Sequence, residues 1–489
     1  ALALRRRHRR REAKGIAHRS RRRLVDRYLG SLPYELTGAQ RRALAEIDAD
    51  LRAPRPMHRL LQGEVGSGKT VVAVSAMLRV VEGGSQAAVM APTEVLATQH
   101  YLGLVSALEA AGLAPEVGPA RHGTPSLFED AEGDTVGVAL LTSTNVETNL
   151  PGLTARDDVL AAIAGGHVDV VVGTHALIQE GVAFTRLGLA VVDEQHRFGV
   201  HQRVRLKEKA EGHEPDLLIM TATPIPRTLA MTLYGDLDVG VIDEMPPGRS
   251  PVETVHLTDP ATIVEELRRT VAEGRQAFVV CPLVDDSDQL EAASAVGEWK
   301  RLSALLPELR IGLLHGQLAP GEKAETMARF RAGELDVLVA TTVVEVGIDV
   351  PNATLMVVED ADRFGLSQLH QLRGRVGRGR HRGRCVLVAN PTTPEGARRI
   401  AAMVATSDGF RLAEEDLRIR GQGTVFGARQ AGMTDLRLAD ILRDADLLAE
   451  ARRHAFALVD ADPELAEHPD LAEELRLLIG EDVEWLEKS

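Results

Sequence analysis

Gly63-Glu-Val-Gly-Ser-Gly-Lys-Thr70 has the full spacing of a phosphate-binding loop. Its glycines (Gly63, Gly66 and Gly68) let backbone N–H groups curl around phosphate oxygens together with Ser67. Lys69 can then reach the β- and γ-phosphates, and the Thr70 hydroxyl can ligate Mg²⁺. About 120 residues later comes Val191-Val-Asp-Glu-Gln-His196, after an apolar run. Asp193 and Glu194 should therefore emerge at the carboxyl end of a strand, where such folds hold Mg²⁺ and orient water. A third group is Gln368-Leu-His-Gln-Leu-Arg-Gly-Arg-Val-Gly-Arg-Gly-Arg380. Placed on one helix, Gln371, Arg375 and Arg378 share a face, and two guanidiniums could clamp a γ-phosphate. The ordered set indicates a nucleoside-triphosphate motor.

These groups need a scaffold that delivers loops to a common rim. From Arg59 to Val241, apolar runs alternate with helical patterns, as a doubly wound parallel sheet requires. Expected strands are His58–Gln62, Ala87–Ala91, Val138–Thr142, Val168–Gly173, Leu189–Asp193 and Leu217–Thr221. Met245-Pro-Pro-Gly-Arg-Ser-Pro251 is dense in breakers and reads as a linker. A second series follows, near Ala277–Pro282, Ile311–His315, Val337–Thr341, Leu355–Glu359 and Cys385–Ala389, and it carries no second P-loop. Beyond Asn390-Pro391 the pattern is helical, and residues 115–160 read as an irregular insertion on the first sheet's rim. The fold class is α/β: two tandem doubly wound parallel-sheet domains plus a helical C-terminal region. The division is 1–31 (a basic linker helix), 32–245, 246–395 and 396–489. Two sheets sharing one P-loop imply a nucleotide in the cleft, with charge supplied from across it.

Composition is that of an ordinary globular protein, and no uninterrupted apolar stretch reaches the roughly 20 residues a membrane span needs. Cys281 and Cys385 have no CxxC partner and read as buried thiols of a reducing compartment. The net charge of −14 argues against a generic nucleic-acid coat. It is unevenly spread: residues 1–27 carry twelve Lys/Arg against two acids, and 440–489 five against fifteen. Arg5–Arg11 could touch a phosphate backbone or form the solvated face of a helix.

The ordered motifs resemble superfamily 2 helicases and, more narrowly, the RecG family of DNA helicases, which implies that the two doubly wound domains are RecA-like. Besides the three groups above, the matching segments include Leu36-Thr-Gly-Ala-Gln40, Ala91-Pro-Thr-Glu94, Gly173-Thr-His175, Met220-Thr-Ala-Thr-Pro-Ile-Pro-Arg227 and Leu314-His-Gly316. Ala340-Thr-Thr-Val-Val-Glu-Val-Gly-Ile-Asp-Val350 completes the set, and the resemblance runs from about Leu32 to about Leu447. It implies that Gln40 reads adenine, with Tyr34 either stacking on the base or simply leading into a helix. Asp193 would bind Mg²⁺ and Glu194 would act as general base. His196 would couple to Thr221 and Thr223, and Gly347 and Asp349 would meet the ribose. DNA phosphates would be met by Thr93, Thr174, His175, Thr341 and Thr342, although Thr is also a common cap residue.

Residues 408–432 are similar to the translocation motif of that family, in which a helical hairpin transmits cleft opening to duplex DNA. Arg418, Arg420, Arg429 and Gln430 are the candidate couplers. The resemblance thus implies an ATP-hydrolysing double-stranded-DNA translocase that remodels branched DNA and stalled forks. Its cofactors would be ATP and Mg²⁺. It would be a monomer acting at the nucleoid in a bacterial cytoplasm, without a membrane, and with a single-stranded-DNA-binding protein as a further partner. The alternatives are a transcription-repair coupling translocase and a nucleotide-gated DNA-binding module without turnover. Departures from the pattern are the lack of most of the N-terminal wedge domain, Gln422 where Pro is expected, and Glu64 where Asp is frequent.

Overall fold

A computed structural model describes residues 13–115, 135–179, 181–193, 209, 213–221, 237–246, 252–282, 288–341, 350–379, 381–420, 443–462 and 465–479. Two sheets organise the chain. The first has eight strands: β1 (His58–Gly63), β2 (Gln86–Met90), β3 (Val138–Leu141), β4 (Val146–Thr148), β5 (Val170–Gly173), β6 (Leu187–Asp193), β7 (Asp216–Thr221) and β8 (Asp238–Ile242). Their order is β4-β3-β5-β2-β6-β7-β1-β8, parallel except for the β3–β4 pair. β1, β2, β3, β5 and β7 are buried along their whole length, as expected of a parallel sheet covered on both faces.

The second sheet has six strands: β9 (Glu253–Leu257), β10 (Gln276–Val280), β11 (Ile311–Leu314), β12 (Val337–Ala340), β13 (Ala353–Val358) and β14 (Arg384–Val388). Their order is β11-β12-β10-β13-β14-β9, with every pair parallel. Helices cover the sheets because parallel neighbours need crossover connections. On the first lobe these are α1 (Arg23–Gly30), α2 (Gly38–Leu51), α3 (Lys69–Glu82), α4 (Glu94–Ala110) and α5 (Arg156–Ala164). On the second they are α6 (Thr262–Ala272), α7 (Asp288–Leu305), α8 (Pro320–Arg331), α9 (Leu366–Arg373) and α10 (Pro394–Ala405). Then follow α11 (Gly409–Arg420), α12 (Ala445–Ala461) and α13 (Pro469–Ile479).

Every expected strand is present within two residues of its expected ends. Three went unread: β4, β8 and the edge strand β9, whose Glu-Thr-Val-His-Leu sequence is only partly buried. The irregular insertion expected over 115–160 needs correction in its second half. There β3, β4 and the start of α5 are regular, and β3 lies within the sheet rather than on its rim. The expected basic helix over 1–31 is, among the described residues, only Arg23–Gly30. Residues 14–20 instead run along the first lobe. The Glu214 N–H donates to the Lys14 carbonyl, and the N–H groups of Gly15 and His18 donate to the carbonyls of Pro54 and Leu51.

Candidate active site

The sheet's strand order brings the chemistry-bearing loops together. β6, β7 and β1 are neighbours, with Asp193 paired to Met220 and Thr221 paired to Gln62. Asp193, Thr221 and the phosphate loop after Gly63 therefore leave three adjacent strands at one carboxyl edge, the crevice at which open α/β sheets bind ligands.

The loop has the close packing its glycines require. A Cβ on Gly63 would lie 2.5 Å from the Ser67 hydroxyl, and one on Gly68 would lie 2.1 Å from Gln40 Nε2. Gly66 and Gly68 both have positive φ, 80° and 89°, a region that costs an L side chain strain. Gly68 caps α3, so the helix's free N–H groups point into the loop. The buried Ser67 hydroxyl has no hydrogen-bond partner among the described residues. This donor set fits the phosphates of a nucleotide. Lys69 Nζ donates to the carbonyls of Gly63 (2.8 Å) and Glu64 (2.9 Å), and Thr70 is exposed.

Gln40 is buried and serves two structures at once. Its Oε1 accepts from the Thr37 N–H at 2.8 Å, closing a capping box at the start of α2. Its Nε2 donates to the Ser67 carbonyl at 2.8 Å. Tyr34 is exposed nearby in the chain. At the end of β6, Asp193 Oδ2 lies 2.8 Å from Nε2 of His100, a residue of α4 that the sequence did not single out.

The arginines come from the second lobe. α9 stops at Gly374, whose own N–H bonds the His370 carbonyl, so the single-helix expectation is corrected. Gln371 is buried in α9, whereas Arg375 and Arg378 lie beyond its end, in a turn that includes Gly377 at φ 69°. Arg378 Nε donates to the Gly374 carbonyl at 3.0 Å. The two arginines nevertheless face the first lobe. A cavity of about 450 Å³ is lined by Thr70, His100 and Val191 on one side and by Arg331, Arg375 and Arg378 on the other. Arg331 ends α8, and its only sequence signal is a basic last turn. Gly374 packs so closely on the phosphate loop that a Cβ would lie 3.0 Å from Val65 Cβ.

The remaining candidates are dispersed. Thr93 caps α4 by accepting from the Leu96 N–H (3.3 Å), the cap role left open above. Thr174 is buried and His175 exposed at the start of a short 3₁₀ turn after β5. Thr341, just past β12, is fully buried with no hydrogen-bond partner for its hydroxyl among the described residues. Arg418 is exposed on α11, paired to Glu414 and Glu415, and Arg420 ends that helix. Glu194, His196, Thr223, Thr342, Gly347, Asp349, Arg429 and Gln430 lie outside the described residues.

A P-loop lobe faced by arginines from a second α/β lobe is the arrangement of superfamily 2 helicase domains. Residues 37–232 match the DEAD/DEAH box helicase family, 259–380 the helicase conserved C-terminal domain, and 406–489 the C-terminal part of domain 3 of the ATP-dependent DNA helicase RecG. Over most of its length the chain is homologous to the RecG family. It is 47% identical over 451 residues to the ATP-dependent DNA helicase RecG of Synechocystis, covering 92% of this chain and 50% of that protein. It is 46% identical over 456 residues to RecG of Bacillus subtilis, covering 93% and 62%. The chain thus spans half to three fifths of the length of these relatives. Among solved structures, a RecG bound to a three-way DNA junction superposes with a TM-score of 0.70 at 41% identity, covering 91% of this chain and 55% of that one. A DNA-bound helicase MrfA shares the fold at 18% identity and a TM-score of 0.56, covering 78% of this chain and 52% of that one. Among the described residues no helix is long and apolar enough to cross a membrane.

Proposed function

We propose that the chain is the motor of an ATP-dependent double-stranded-DNA translocase of RecG type, which remodels branched DNA and stalled replication forks. The observation that carries this reading is the shared cavity: Thr70 of the phosphate loop and Arg375 and Arg378 of the second lobe line one space. ATP bound there with Mg²⁺ would supply the phosphoryl group whose hydrolysis drives movement. The loop N–H groups and Lys69 would hold the β- and γ-phosphates, and Thr70 and Asp193 would hold the metal. Gln40 reads the adenine edge, and Glu194 takes the proton from the attacking water. Arg375 and Arg378 stabilise charge on the equatorial oxygens, a role worth roughly 10³–10⁵ in rate. Gln371, Gly347 and Asp349 complete the second lobe's face of the pocket. His196, Thr221 and Thr223 link it to the DNA rim.

Thr93, Thr174, His175, Thr341 and Thr342 are assigned to that rim, where they meet phosphates without reading sequence. Residues 408–432 form the translocation hairpin, with Arg418, Arg420, Arg429 and Gln430 as couplers. The substrate is branched or forked duplex DNA, the protein acts as a monomer in the cytoplasm, and a single-stranded-DNA-binding protein is its further partner.

The test is ATP hydrolysis measured with branched DNA, plain duplex, single strands and RNA. Branched DNA should stimulate turnover most, and Lys69→Ala and Glu194→Gln should each abolish it. Normal stimulated turnover in both variants overturns the assignment, and stimulation by RNA alone overturns the DNA reading.

A further inference from the structure

Glu64, the second residue of the phosphate loop, makes a contact that nucleotide binding does not require. Its carboxylate accepts the backbone N–H of Gly409 at 2.7 Å, across 345 residues of chain. Gly409 is the first residue of α11, the helix that opens the 408–432 segment. The next two amides of that helix are capped locally: those of Phe410 and Arg411 donate to Asp408 Oδ1 at 2.9 and 3.2 Å. Glu64 thus takes the one donor of the first turn that Asp408 leaves, and its negative charge suits the helix's positive end.

The same residue is tied to the chemistry at its other end. The Glu64 carbonyl accepts from Lys69 Nζ (2.9 Å) and from the Ser67 N–H (3.0 Å). A Lys69 ammonium that moves to phosphate oxygens must release that carbonyl, so filling the loop changes the hold on Glu64 itself. On the far side α11 cannot shift alone. Arg373, the last residue of α9, is buried and donates to the carbonyls of Met403 (3.1 Å), Thr406 (2.8 Å) and Ser407 (3.0 Å). This welds the entry of α11 to the helix that ends one residue before Gly374 and two before Arg375. A cavity of about 380 Å³ beside the contact, lined by Glu64, Asp243, Arg373, Asp408 and Phe410, leaves room for movement.

We propose that Glu64 is a positioning residue that relays the state of the phosphate loop to α11 through the Gly409 N–H. Phosphate binding draws Lys69 off the Glu64 carbonyl, shifts the carboxylate, and thereby changes the seat of the hairpin's first helix. The consequence for DNA rests on the translocase reading above; the relay itself does not.

The donor can be removed without touching the nucleotide loop. Gly409→Pro deletes the N–H at a helix's first position, where proline is accepted, and Gly409→Ala keeps it. Amide hydrogen exchange over residues 410–413 should change when the wild-type chain binds a non-hydrolysable ATP analogue. That response should be lost in Glu64→Ala and Gly409→Pro, and retained in Gly409→Ala. The ratio of DNA-stimulated to DNA-free hydrolysis should fall about tenfold in each of the first two variants, the ratio one charge-assisted hydrogen bond can supply, with no further fall in the double variant. Exchange in α11 that is indifferent to nucleotide, or effects of Glu64→Ala and Gly409→Pro that multiply, overturns the relay. A wild-type chain that no DNA stimulates refutes the translocase reading alone, since the exchange experiment still decides the relay.

Discussion

At the scale of single residues, several side chains serve architecture and chemistry with different atoms, and this makes their roles separable. Gln40 caps α2 through its oxygen and holds the Ser67 carbonyl through its nitrogen. Gln40→Glu keeps the acceptor for the Thr37 N–H, deletes the donor, and sets a carboxylate against the Ser67 carbonyl. It should destabilise the first lobe by about 1–3 kcal/mol and weaken nucleotide binding about tenfold. Denaturant unfolding and nucleotide titration check the two effects separately, and unchanged nucleotide affinity would reduce Gln40 to a helix cap. The residue expected to read adenine also forms, in this structure, a strut between the helix start and the phosphate loop. Sequence named the residue because the motif is local, but a bond between residues 40 and 67 depends on how α2 and α3 pack. His100 was missed for the same reason: nothing around it in α4 marks a residue that will meet Asp193 from 93 positions away.

At the scale of elements, the parallel sheets were legible because strands buried on both faces are written as short apolar runs. β8 and β9 were not, since Asp-Val-Gly-Val-Ile and Glu-Thr-Val-His-Leu carry polar residues that edge positions tolerate. The arginine helix was over-extended because its spacing was read past Gly374, although glycines at 374, 377 and 379 were visible as stops. Strand ends also gather groups that no motif announced. Glu359 follows β13, Cys281 follows β10, and Glu298 and Arg301 reach them from α7. Burial, and next the Glu298 carboxylate, push the Glu359 carboxyl up to about 8, with Arg301 opposing. Between about pH 4.5 and 8 the folded protein therefore keeps a proton on Glu359 that the unfolded chain has released. The unfolded state binds fewer protons there, so this group makes stability fall as pH rises through the window. Glu359→Gln removes the titration. Its denaturant midpoint should hold up better than wild type from pH 5 to 8, and parallel pH profiles for the two proteins would refute the assignment.

At the scale of the whole molecule, the question is which contacts let one lobe move while another segment stays fixed. The lobes meet through small, specific contacts: Gly374 on Val65, and Gly409 on Glu64. Contacts of that size cost little to break and remake. The N-terminal segment is held differently. His18 is fully buried, with Nε2 3.2 Å from Asp216 Oδ2, while Asp216 Oδ1 accepts the Met57 N–H at 2.6 Å. Arg79, itself buried and paired to Asp48, donates to the Ser20 carbonyl two residues further on. Burial raises the Asp216 carboxyl on balance, with the His18 contact only partly opposing it. Removing one side of the contact leaves the buried Asp216 carboxyl without its His18 partner, which costs about 1–3 kcal/mol, more than an exposed ion pair of the linker could offset. His18→Ala should therefore lower the unfolding midpoint of the first lobe and open residues 13–22 to proteolysis. Adding Asp216→Asn, which keeps an acceptor for Met57 and needs no cation, should recover a large part of that loss. A His18→Ala chain that is as stable and as protease-resistant as wild type would mean that the segment merely lies on the lobe.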